Sequence, residues 1–150
     1  MALHHLLLIT HLIAAAVWVG GHLVLSLTIL PQAVKQKNGL LILDFESRFE
    51  AWGMSSLVLL VVSGIAMAYN YGVRLENWFE FSSAVERVVS AKLLMLFLTL
   101  ALAMSARFGA IPRLIRQPTK TNTMALHIIL VTITGTAMLV MGSFIRFGGI

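Results

Sequence analysis

The sequence predicts an all-α integral membrane protein folded as a four-transmembrane-helix, up-down bundle. Three observations predict it. Of 150 residues, 59% are hydrophobic and only 11% are charged, whereas soluble domains carry about 25% charged residues. The charges divide the chain into four apolar stretches, and a helix needs about 20 such residues to cross a bilayer. The connections between the stretches are short, which favours antiparallel neighbours. The same composition excludes a disordered chain. The absence of cysteine excludes disulfides, iron–sulfur clusters and thiolate zinc sites.

The first stretch holds no Lys, Arg, Asp or Glu from Met1 to Val34. It lacks the basic start of a secretory leader and is too long for one, so it reads as a retained helix over about 4–31. Gly20 and Gly21 within it permit close helix packing. The connection after Pro31 carries Lys35, Lys37, Asn38 and Gly39, and Asp44 reads as the N-cap of the next helix. That second helix covers about 48–70, over the uncharged run Ala51 to Val73. Trp78, Phe79 and Phe81 follow in a loop suited to the membrane interface. The third helix covers about 86–109 and reaches spanning length only if Lys92 lies inside the membrane. Pro112, Arg113, Arg116, Pro118 and Lys120 fill the next connection, and the fourth helix covers about 123–145. The whole chain, 1–150, reads as a single four-helix transmembrane domain. No low-complexity segment or internal repeat stands out.

Orientation follows from the basic residues. Lys35, Lys37, Arg48, Arg107, Arg113, Arg116 and Lys120 lie at one end of the bundle, and Arg74, Arg87, Lys92 and Arg146 at the other. The positive-inside rule places the first group in the cytoplasm and both termini outside. The net charge of +5 then belongs to loops beside anionic lipid, and no nucleic-acid partner is implied.

The chemistry must come from polar groups at membrane depth, which are functional candidates by default. All five histidines, His4, His5, His11, His22 and His127, fall on the first and fourth helices. At 100° per residue, His11 and His22 lie within about 20° of one another and about 16 Å apart along the axis. His4 and Trp18 share that stripe. In an up-down bundle His22 and His127 reach similar depth from facing helices, an arrangement suited to the two axial positions of a haem iron. Gly53 and Gly135 would leave room for a porphyrin, and Arg48, Arg107 and Arg113 would hold its propionates. With no Cys-x-x-Cys-His such a haem is non-covalent, hence haem b. A copper ion is the alternative, held by His11, His22 and His127 with methionines such as Met138 and Met141.

The stretch from His11 through Trp18 to Gly20-Gly21 resembles the first helix of CopD-like membrane proteins and of the related HemJ-type protoporphyrinogen oxidases. Phe45-Glu46-Ser47-Arg48-Phe49 leading to Ser63-Gly64 is similar to their second helix, and Lys92-Leu93-Leu94 to the start of their third. Where the HemJ-type fourth helix begins Asn-Glu-x-Pro, this chain has Asn122-Thr123-Met124-Ala125. The CopD resemblance implies copper uptake and resistance. The HemJ resemblance implies haem b and protoporphyrinogen IX oxidation, with His11 and Lys92 as the catalytic pair. The leading expectation is a b-type haem protein that transfers electrons within the bilayer of a bacterial inner membrane. A CopD-type copper transporter and a HemJ-type oxidase are the alternatives. The partners in view are the lipid bilayer, a quinone or porphyrin, and a second copy or larger membrane complex.

Overall fold

The computed structural model describes residues 2–145. Arg146, counted above for orientation, lies outside them. The described residues form helices and loops with no strand. The four long helices are α1 (residues 2–36), α2 (Leu40–Asn70), α3 (Ala84–Arg116) and α4 (Asn122–Ile145). Each has a mean hydropathy between 1.9 and 2.1 over its most apolar window. Large apolar side chains point away from the bundle: Leu27 and Phe108 are 73% exposed and Trp52 is 70% exposed. A surface this apolar is stable against lipid tails, not against water.

Three helices extend beyond the predicted limits at the basic end, by which we mean the end holding residues 37–39 and 117–121. α1 runs on through Lys35, α3 through Arg113 and Arg116, and α2 starts eight residues early. Charges end the apolar run, but they do not end a helix that emerges into water. Asp44 is therefore not an N-cap. It lies inside α2 and pairs with Arg48 one turn on, at 3.1 Å. Asn38 supplies the cap side chain, accepting from the Leu40 N–H at 3.1 Å.

Two prolines should break these helices, because Pro lacks a donor and its ring clashes with the carbonyl four residues back. Neither does. Before Pro31, residues Leu25–Ile29 form a π-turn, closed by the Leu30 N–H on the Leu25 carbonyl. Before Pro112, residues Ala106–Ala110 do the same, closed by the Ile111 N–H on the Ala106 carbonyl. The wider turn rearranges the hydrogen bonding where the ring enters, and the helix continues.

That coincidence exposes a repeat. The same interval separates Leu25 from Ala106, Pro31 from Pro112 and His11 from Lys92. α1 packs along α2 and α3 along α4, and α1 against α4 joins the two hairpins. α2 and α3 meet chiefly near the basic end, where Arg107 reaches Glu50 at 2.8 Å. The chain is thus a helical hairpin, π-turn and proline included, used twice. Sequence identity between the copies is too low to show it.

The core has two layers. At the basic end Leu25, Leu30, Ala33, Ile42, Ala110, Leu114, Met124 and Ile128 form one buried cluster drawn from all four helices. In the middle Trp18, Val19 and Val131 form the second, with Leu57, Leu60, Leu102 and Met138 packed around them. At the far end the 71–83 connection tucks Val73 inside, and Ser83 and Glu86 close a capping box at the start of α3.

Candidate functional site

The predicted histidine stripe is real, and it faces α2. His4 meets the Tyr71 ring edge-on at 5.4 Å. His11 meets Ser63, with its Nδ1 2.9 Å from the hydroxyl. The His22 ring lies 6.1 Å from that of Phe49. The spacing of seven and eleven residues keeps all three on one helix face, and the antiparallel α2 passes along that face. A shallow depression of about 460 Å³, lined by Leu3, His4, His5 and Asn70, opens at the top of the seam.

The hydrogen bonds fix the useful tautomer. The Ser63 hydroxyl gives its proton to the Leu59 carbonyl, so it accepts the Nδ1–H of His11. The His22 Nδ1–H donates to the Trp18 carbonyl at 2.8 Å. With the proton assigned to Nδ1 in both rings, Nε2 is the nitrogen that would be offered to a ligand. A protein acceptor on the far ring nitrogen is the arrangement that orients metal-binding imidazoles. Were His11 a metal ligand, Ser63→Ala would lower its metal affinity by about tenfold or more without unfolding the bundle, as measured by competition with a metal chelator.

His127 is placed differently. Its Nδ1–H donates to the Thr123 carbonyl at 2.8 Å, and its Nε2 accepts from the Ser105 hydroxyl of α3 at 3.0 Å. Both nitrogens are engaged, and the ring bridges α3 and α4. The structure does not bring His22 and His127 together: one lies in the α1–α2 seam, the other in the α3–α4 seam. The Thr132 hydroxyl reaches the His22 carbonyl at 3.3 Å, so His22 is level with Thr132 rather than with His127.

The space expected for a porphyrin is filled by aromatic rings. A Cβ on Gly53 would stand 2.9 Å from the Phe49 ring, and one on Gly135 only 2.7 Å from the Trp18 ring. These glycines let the rings pack and leave no void beside them. Two of the three arginines expected to hold propionates are occupied, Arg48 by Asp44 and Arg107 by Glu50, and Arg113 is exposed at the basic end.

His11 and Lys92, expected as a pair, reach into the same half of the bundle from different hairpins. His11 rests over Gly64, where a Cβ would be 3.3 Å from its Cε1, and Lys92 rests over Gly142, where a Cβ would be 3.0 Å from its Nζ. Each long polar side chain lies on a glycine of its own hairpin, and both reach into the half of the bundle away from the basic end. Lys92 is half-buried, as a third helix of spanning length required.

The family comparison covers most of this frame. Residues 43–147 match the CopD family, described as copper resistance protein D. The chain belongs to the CopD family. With its four apolar helices it is a multi-pass membrane protein of the CopD type. The match takes in α2 to α4, with Lys92 and His127, and leaves out α1 with His4, His11 and His22. No curated protein and no solved structure matches the chain.

Among the described residues no group of three or more His, Asp or Glu side chains could together hold a metal ion. The arrangement offers single soft donors in sequence along a seam. Met67, one turn beyond Ser63 on the same face of α2, falls between His4 and His11. Met138 packs against the Trp18, Val19 and Val131 cluster from α4. Met54 and Met104 point outward to lipid.

Proposed function

We propose that this CopD protein passes Cu(I) through the bilayer along the α1–α2 seam, in the inner membrane of a bacterium with the basic end in the cytoplasm. The observation that carries the reading is the stripe itself: imidazoles on one helix face, two with Nε2 left open by hydrogen bonds at Nδ1. Copper accepts imidazole and thioether donors. His4, Met67, His11 and His22 form a series of them, and the Trp18 face adds cation–π attraction. Few-donor sites suit cargo that must leave again. The reading treats the chain as one four-helix domain.

The haem b reading keeps its own test. It needs His127 released by Ser105, and Phe49 and Trp18 displaced, before His22 and His127 could serve one iron and transfer electrons. Detergent-purified protein should be colourless and take up Cu(I) under anaerobic ascorbate. A Soret band with sharp reduced α and β bands, lost in His22→Ala, would overturn the copper reading in favour of haem.

A further inference from the structure

The two loops at the basic end touch. The Gly39 N–H donates to the Pro118 carbonyl at 2.7 Å. A Cβ on Gly39 would collide with the Leu114 side chain and stand 2.8 Å from the Pro118 oxygen, so the absence of a side chain is what lets the hairpins come this close. The contact gathers cations. Lys37 is two residues from Gly39, Lys120 is two residues from Pro118, and Arg113 is next to Leu114. Lys35 and Arg116 lie nearby in the last turns of α1 and α3. All five are exposed, and no hydrogen bond or ion pair engages their side chains among the described residues.

Nothing acidic balances them. No Asp or Glu occurs from Leu30 to Leu43 or from Phe108 to Asn122. On the adjoining part of α2, Asp44 pairs with Arg48 and Glu50 with Arg107, and Glu46 is half-buried nearly two turns into the helix. Setting the orientation of the chain needs positive charge on each loop, but it does not need the loops pressed together. The helix dipole favours Lys35, Arg113 and Arg116 in their last turns. Lys37 and Lys120 stand beyond the helices and gain nothing from it. Like charges gathered in this way repel, and an anion held between them offsets the repulsion. Apolar side chains stand among the cations: Val34, Leu40 and Ile115 are 44%, 55% and 60% exposed. A soluble anion would leave them bare, whereas a lipid brings acyl chains to cover them.

We infer that the joined loops bind the headgroup of an anionic phospholipid from the leaflet at the basic end. Lys37 and Lys120 hold its phosphate, and its acyl chains pass among the exposed apolar side chains. One lipid then ties the first hairpin to the second. The platform is separate from the histidine seam and does not depend on what passes there.

The test places the whole chain in nanodiscs of phosphatidylcholine with a minor share of phosphatidylglycerol. After extraction in mild detergent, retained lipid is counted by native mass spectrometry and thermal melting is followed on the same samples. Phosphatidylglycerol should be retained in preference to phosphatidylcholine and should raise the melting temperature. Lys37→Gln and Lys120→Gln should each lower its retention by about fivefold, and Lys37→Arg should keep it. Arg74→Gln, an equal loss of charge at the far end, should leave it unchanged. Equal retention of the two lipids, unchanged retention in Lys37→Gln and Lys120→Gln, or an equal loss in Arg74→Gln overturns the inference. Inorganic phosphate that raises the melting temperature as much as the lipid also overturns it, since the platform would then serve a soluble anion.

Discussion

If copper passes along the α1–α2 seam as proposed, His22→Ala should lower its transfer by about a hundredfold or more while leaving the protein folded. His22 is the last open imidazole in the seam before the apolar cluster of Leu25, Leu30 and Ile42. No other described nitrogen donor lies between it and the basic end on that face. Loss of an outer hydrogen-bond partner typically costs 10–100-fold in metal affinity, so loss of the ligand should lower transfer by at least about a hundredfold. Uptake into proteoliposomes would show it, with thermal melting as the control for folding. His127→Ala should leave transfer nearly intact, because that ring ties α4 to α3 and is not open to metal. Equal losses in both variants would mean that the α1–α2 seam is not the path.

The largest structural effect is expected from Gly135→Leu. The Trp18 ring occupies the place where the new Cβ must go, and Trp18 is only 5% exposed at the centre of the middle layer. Overpacking of this kind costs about 1–3 kcal/mol, and here it pushes apart the contact that joins the two hairpins. The melting temperature in detergent should fall clearly. Trp18→Ala in the same chain should restore part of the loss, since two groups competing for one space do not contribute additively. A double variant no better than the sum of the singles would show that the ring moves aside freely.

Much of the fold was legible because a bilayer imposes a simple rule on a sequence. Uncharged runs of spanning length could be counted, and all four helices are there. The ends were less legible. Lys35 and Arg113 mark where the chain leaves lipid, but a helix in water tolerates them. Pro31 and Pro112 read as stops, and a π-turn is invisible to periodicity. The histidine stripe was legible because the angle between His4, His11 and His22 is set by their spacing alone. Which helix it faces was not, because pairing depends on rotation about each axis. Depth alone matched His22 with His127, whereas neighbours in the chain pack first: α1 with α2, α3 with α4. Gly53 and Gly135 were read as room for a porphyrin, whereas the space over them holds the protein's own Phe49 and Trp18 rings. The repeat could have been found from the paired prolines, each a few residues before a basic turn, had they been aligned with each other.

The doubled hairpin also gives the molecule a direction. Each hairpin enters and leaves on the same face, so the two copies stand the same way up. In carriers built from copies of opposite orientation, exchange of the two shapes presents one site to either side in turn. Upright copies are not related by that exchange of faces, and the two faces of this protein are built of different material. One is a mouth of imidazoles with a lysine beneath it; the other is a plug of leucine and isoleucine sealed by four helices. On the proposed copper reading, an ion entering from the mouth would meet its binding groups before the apolar barrier, and one from the other side would meet them in reverse.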